Sequence, residues 1–499
     1  MTHSIVSRAF IGAVLLTIAA VSGARAADVK DGWKVACPFD AAKALLAVEC
    51  GRLKLPENTD APAGRSVEIA FMIVHPRRNI DPEHPVLYLA GGPGSPLLVY
   101  AEALVADPQV LDIVVDRDWV FLDTRGTGRS LPMLRCPKAD DYLKRVQLCR
   151  DTLIKDGVDL AQYNSMRSAR DIEALRKALS VKQWNLWGLS YGSRLAFAVA
   201  RDFPASVHAI VHDGPSYPEG REIVDDLRGT EAAIGKLLAK CASDATCAAR
   251  YPDLRARFLA ALPRLRQQPL KVGDGKIDDH EAVQYIRGYL FTGDPALLER
   301  RVQLVLAYMD AAARADAKTL QQVKHDMPEE NEDAYAAIPV EGWYDMALNL
   351  SVECNEQRPF ETVADYREAA SKSEIVRAMF GKDMGQEDFQ VCALWPSGRA
   401  DPSRKTHIAY DGPQLLFSGE LDASLSGLSG ERIAALYPNA RNVVFKNAVH
   451  GEVQLEDLPP KTVDPYRKCA LTLARQFLAD PKAALDTRCA ETRTLRLVP

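Results

Sequence analysis

The chain has 499 residues, 47% of them hydrophobic and 26% charged, with 30 Gly, 30 Pro and 10 Cys, which is close to the usage of an ordinary globular protein. Disorder, collagen-like repetition and a long coiled coil are excluded, and the length suits one large core carrying an inserted second domain. The formal charge of −5 becomes −7 if Arg8 and Arg25 leave with the N-terminal segment, which disfavours nucleic acid and anionic membrane surfaces as partners.

Residues 1–26 read as a cleaved secretory signal. Arg8 precedes the apolar run Ala9 to Val21, and Ala24-Arg25-Ala26 offers small residues around a cleavage point. No later run reaches the 18 or so apolar residues of a spanning helix. No Cys lies near the cleavage point, so a lipid anchor is not suggested. The expectation is a soluble chain, periplasmic or extracellular. The ten cysteines, 37, 50, 136, 149, 241, 247, 354, 392, 469 and 489, all follow the signal. An even number in an exported chain reads as disulfides, and the spacing suggests that sequence neighbours pair. A metal site is disfavoured because CxxC and HExxH are both missing from the sequence.

In chain order, Ser66 to Val74 alternates enough for an antiparallel strand. Val86 to Ala90, Trp119 to Asp123, Gln183 to Trp187, Ala209 to His212, Gln414 to Phe417 and Asn442 to Phe445 are short, nearly continuous apolar runs. Such strands alternating with helical patterns predict a mostly parallel, doubly wound α/β sheet covered on both faces. From about Tyr217 to Ala400 strand signals vanish, and helical runs at Glu231 to Lys240, Leu254 to Leu265, Ala296 to Ala313 and Val363 to Phe380 replace them. The division expected is a core over 27–216, a helical insertion over 217–400 and a second core segment over 401–499. The acidic run Glu329 to Asp333 reads as a solvated loop.

The strongest chemical signal is Gly188-Leu189-Ser190-Tyr191-Gly192, a buried strand running through GxSxG into an apolar helix. Small residues on both sides of a strained turn expose the Ser190 hydroxyl at a helix N-terminus. A serine hydroxyl attacks well only when a base removes its proton, so a histidine and a carboxylate are required downstream. His450 and Asp422 each follow a predicted strand, and the order Ser190, Asp422, His450 is the one this architecture demands. Glu420 competes for the acid role, whereas His208 and His212 flank a strand and read as structural. Ala90-Gly91-Gly92-Pro93-Gly94 supplies unobstructed amides after a strand, which makes Gly92 and Tyr191 the oxyanion donors. This chemistry needs no metal or organic cofactor.

GGPG after a strand, then Asp123-Thr124-Arg125-Gly126-Thr127-Gly128-Arg129-Ser130, then GLSYGS, His212-Asp213-Gly214-Pro215, Gly419-Glu420-Leu421-Asp422 and Val449-His450-Gly451 resemble the proline iminopeptidase and tripeptidyl aminopeptidase group of α/β-hydrolases. Cys50 to Pro56, Cys354 and the segment Cys469 to Cys489 resemble its larger secreted tripeptidyl-type members. The sequence departs from that group at Ala90, where many relatives carry His, at Val449, where Gly is usual, and in the Ala-Ser-Leu-Ser that follows Asp422.

The resemblance implies an α/β-hydrolase fold whose helical insertion caps the site. It also implies a peptide substrate with a free N-terminus, its ammonium held by Glu356 or, as second choice, Glu353. A secreted esterase with the same triad and a noncatalytic binding protein on the same scaffold are the competing expectations.

Overall fold

In a computed structural model the described residues are 32–291, 295–327, 345–424, 426–451 and 464–499. The expected signal, residues 1–26, and the acidic run 329–333 lie outside them. Nine strands form one sheet: β1 (Lys34–Val35), β2 (Val48–Pro56), β3 (Ser66–Val74), β4 (Val86–Leu89), β5 (Trp119–Leu122), β6 (Trp184–Leu189), β7 (Val207–Asp213), β10 (Gln414–Gly419) and β11 (Ala440–Phe445). A separate two-stranded hairpin is made by β8 (Leu270–Val272) and β9 (Gly275–Ile277). The large sheet has the order β1-β2-β3-β5-β4-β6-β7-β10-β11. It is parallel from β5 through β11, with β1, β2 and β3 joined antiparallel at one edge.

The apolar runs make parallel strands because both of their faces are covered. Leu87, Leu186 and Ile210 stand in register across β4, β6 and β7 and enter one core, while Tyr88, Trp187, Val211 and Phe417 enter the core on the other face. The period of two therefore serves two cores at once. The sequence reading did not include β2, which pairs with all of β3. Its Cys-Gly-Arg centre carries no strand signal, yet Gly51 is what admits the Phe71 ring, since a β-carbon there would lie 2.2 Å from it.

The helices that concern the site are α1 (Ser165–Ala178), α2 (Tyr191–Asp202), α3 (Glu222–Ser243), α4 (Leu254–Gln267), α5 (Asp279–Phe291), α6 (Leu298–Arg314), α7 (Met346–Glu356), α8 (Ser426–Leu436) and α9 (Pro465–Ala479). Between β7 and β10 the described residues add helices and the small hairpin but no strand of the large sheet. The hairpin departs from the all-helical reading: its turn passes Gly273 at φ +58°, a conformation open to glycine. The helical run expected over Val363 to Phe380 is broken at Ser373, whose hydroxyl accepts the Val376 amide and starts a second helix. Helices α3 to α6 share one apolar core, whereas Ala347, Leu348 and Val352 of α7 pack with Leu186 and Leu195 on a face of the large sheet.

The run Asp123 to Ser130 follows β5, an inner strand of the sheet. Asp123 accepts amides from Leu97, Leu98 and Arg129, and Gly128 leaves room for it, because a β-carbon there would lie 2.2 Å from its carboxylate. Arg125, fully buried, binds Asp171 of α1 through two 2.7 Å bonds and donates to the Glu57 and Gln162 carbonyls. Removing one partner strands the other charge. Asp171→Ala is therefore expected to cost about 3–5 kcal/mol of stability, read as a lower urea midpoint at unchanged slope.

Five disulfides join Cys37 to Cys50, Cys136 to Cys149, Cys241 to Cys247, Cys354 to Cys392 and Cys469 to Cys489, the neighbour pairing that the spacing suggests. Among the described residues no helix is long and apolar enough to cross a membrane.

Candidate active site

Ser190 stands between β6 and α2 as the N-cap residue with φ 53° and ψ −118°, a strained backbone that an ordinary residue adopts only when its surroundings enforce it. The surroundings are explicit. A β-carbon at Gly188 would lie 2.4 Å from the Gly192 backbone, and one at Gly192 would lie 2.1 Å from the Leu89 carbonyl oxygen. Both glycines of GxSxG are thus required by close approach, and the second one seats the turn against the end of β4. The Ser190 amide donates to the Asp213 carbonyl at 2.8 Å, and the Ser193 hydroxyl donates to the Gly188 carbonyl at 3.0 Å.

The Gly-rich loop leaves β4 beside this turn. Gly92 and Gly94 have φ of +105° and +110°. The Gly94 carbonyl accepts the Asp345 amide at 2.8 Å. Asp345 also caps α7, accepting the Ala347 and Leu348 amides, so one residue links this loop to the helix that carries Glu353 and Glu356. Burial pushes the Asp345 carboxyl up to about 7, against the pull of the two capping amides.

Asp422 and His450 lie in the loops after β10 and β11, respectively 1% and 6% exposed. Their side chains meet at 2.8 Å, His450 Nδ1 to Asp422 Oδ2. Burial disfavours the imidazolium, but the Asp422 carboxylate outweighs it, with Asp213 and Asp226 adding to the pull, and the imidazole is held above the ordinary histidine range. The imidazole also lies against the strand end that holds Ser190. A β-carbon on Gly214, which follows Asp213 at φ +60°, would lie 2.7 Å from His450 Cε1.

The unusual Ala-Ser after Asp422 has a local use. The Ser424 amide and hydroxyl both donate to Asp422 Oδ1, at 2.8 and 2.6 Å, and the hydroxyl lies 3.1 Å from His450 Nδ1. Glu420 is turned elsewhere, accepting the Asn447 amide and pairing with Lys240. His212 is buried against Gln414, with burial pushing it down to about 4.

Glu356, at the end of α7, accepts the Ser165 amide at 2.6 Å and the Ser165 hydroxyl at 2.8 Å. That hydroxyl lies 2.9 Å from the Tyr191 hydroxyl, so the carboxylate is one hydroxyl removed from the residue that follows Ser190. Glu353 faces Arg194 of α2 at 3.2 Å, and Arg194 also pairs with Glu222. Lys405 stands in the same charged cluster, donating to Gln357 at 2.6 Å. Burial and the neighbouring Arg194 push its ammonium down to about 8. Cys354, between the two glutamates, is bonded to Cys392. Ser165, Arg194 and Ser424 were not expected from sequence, where a lone Ser or Arg carries no signal.

Family models match over two stretches, residues 84–244 to the alpha/beta hydrolase fold and 377–489 to TAP-like proteins. The serine protease Hip1 of Mycobacterium tuberculosis is 30% identical over 419 residues, covering 74% of each chain. The chain belongs to the α/β-hydrolase serine peptidases. A tripeptidyl aminopeptidase of Streptomyces coelicolor is 27% identical over 41% of each chain, and a probable proline iminopeptidase of the same organism is 29% identical over 36% of this chain and 42% of its own. The two stretches matched by the family models include Ser190 in the first and Asp422 and His450 in the second.

Proposed function

We propose that this serine hydrolase is an exported aminopeptidase that releases N-terminal residues or short peptides through a Ser190-His450-Asp422 triad. His450 takes the Ser190 proton as the oxygen attacks the scissile carbonyl. The Gly92 and Tyr191 amides carry the resulting oxyanion. The C–N bond then breaks, the leaving amine receives the proton from His450, and the N-terminal fragment stays on Ser190 as an ester. Water, deprotonated by His450, attacks that ester; the Ser190 oxygen leaves with the proton returned by His450, and the fragment departs as a carboxylic acid. Asp422 holds the imidazole orientation and balances the imidazolium, and no cofactor enters these steps. The helices between β7 and β10, expected as a cap, decide in this reading which peptides reach Ser190. Export is supported by the five disulfides together with the signal-like residues 1–26.

The observation that carries the peptide reading is the Glu356-Ser165-Tyr191 chain. A buried ammonium needs a carboxylate at a fixed distance from the nucleophile. The groups that Glu356 accepts from here, the Ser165 amide and hydroxyl, are uncharged, whereas Glu353 already has the Arg194 guanidinium. Glu356 is therefore the better anchor. Glu356→Gln is expected to lower kcat/KM for free-amine peptides by about 10- to 100-fold, with N-acylated peptides and nitrophenyl esters much less affected. Equal losses on all three substrates would end the anchor assignment. Mass spectrometry of products from an unblocked peptide library gives the length released per cleavage.

A further inference from the structure

We propose that the C-terminal end of α5 positions the catalytic base, with Phe291 setting the plane of the His450 imidazole. This rests on the reading of His450 as the base. The acid and the base both sit in loops, and loops are the least constrained parts of a fold. Here they are tied to one helix end. The Ala423 amide donates to the Leu290 carbonyl at 3.2 Å, and the His450 amide donates to the Phe291 carbonyl at 2.8 Å. The last carbonyls of a helix have no acceptor role within it, so two successive ones are open to take the residue after the acid and the base itself.

The side chains continue this arrangement. The Phe291 ring stacks on the imidazole with centroids 4.7 Å apart and planes 16° apart. The Arg287 guanidinium lies 5.7 Å from the Phe291 ring centre and bonds Asp226 of α3 at 2.5 Å. The Thr230 hydroxyl of α3 donates to the Ala423 carbonyl at 2.7 Å. Leu421, Ala423 and Val449, the neighbours of the catalytic pair, are buried in the core of α3 to α6. Rotation of a histidine ring about its last side-chain torsion is broad and soft. The bond to Asp422 restrains one edge of the imidazole and the stacked ring restrains its plane, so together they hold Nε2 in one direction. The helical insertion is thus a fixed wall of the triad at this helix, whatever other parts of it do when substrate enters.

The test compares full-length wild type, Phe291→Leu and Phe291→Tyr, with Ser190→Ala and His450→Ala as controls. The probes are a fluorophosphonate and an unblocked peptide amide. Rates are expressed per Ser190 titrated, so that poor folding lowers the number of sites and not the rate at each. Phe291→Leu is expected to slow both phosphonylation and kcat by about 10- to 100-fold, with KM little changed, and Phe291→Tyr to recover most of the loss. A rise in KM alone at unaltered phosphonylation would overturn the proposal and make Phe291 a substrate contact, and so would a Tyr variant as slow as Leu. Normal labelling of wild type beside an unaffected Leu variant removes only this inference. Absence of labelling at position 190 in wild type, or labelling that survives His450→Ala, removes the base assignment and this inference with it.

Discussion

Ser190→Ala is expected to lower kcat by about a millionfold, with the fold intact. The substitution removes one oxygen at a turn whose shape is fixed by its neighbours: Gly188 and Gly192 in mutual contact, the Ser190 amide on the Asp213 carbonyl, and the Ser193 hydroxyl on Gly188. Alanine adopts a positive φ no more easily than serine, so the local strain is nearly unchanged and thermal unfolding should move little. The measurement is turnover of an unblocked peptide beside circular dichroism, with fluorophosphonate labelling as the check on the nucleophile. Activity near the wild-type level would remove Ser190 from the reaction.

The second large effect is expected from Asp422→Asn, about 10,000-fold in kcat at neutral pH. The carboxylate accepts from His450 Nδ1 and from the amide and hydroxyl of Ser424. An asparagine amide turned toward Nδ1 would favour the tautomer that leaves Nε2 protonated and unable to act as a base. The pH dependence carries a sign. His450 is held above its ordinary range mainly by Asp422, and a histidine in the proposed role of base works only when neutral. Wild-type kcat/KM should therefore rise with pH through a midpoint above that of an ordinary histidine. In the Asn variant the counter-charge is gone while burial remains, so the acid limb of the residual activity should move to lower pH. An unmoved limb would mean that another group controls it.

Much of this architecture was readable because parallel strands buried on both faces must be apolar throughout. Val86 to Leu89, Trp119 to Leu122 and Gln414 to Phe417 leave few alternatives to strand. Strand β2 is not readable, because a strand with mixed Glu, Cys, Gly and Lys, flanked on its outer side only by the two-residue β1, is defined by its partner β3 and not by its own pattern. At the site, Ser190 is legible because its turn excludes side chains on both sides. Asp422 and His450 can be proposed from the sequence because they follow strands in the required order, and their side chains meet at 2.8 Å. Ser165, Arg194 and Phe291 act through contacts made across 26 or more residues of chain, and so does the Ser424 hydroxyl where it meets His450, and no local spacing encodes such a meeting. Glu420 shows the converse. It stands nearer the strand end than Asp422, and only the position of Asn447 and Lys240 shows that it faces away.

The five crosslinks share a property with a consequence for how the chain matures. The ten cysteines pair first with second, third with fourth and so on along the chain, with separations of 6 to 38 residues and no bridge enclosing another. In a polypeptide threading N-terminus first into an oxidising space, if each pair closes before the next cysteine emerges, every unpaired cysteine finds its correct partner as the next one to arrive. If the chain is exported as proposed, oxidation in order of arrival yields the native set without passing through mispaired bridges.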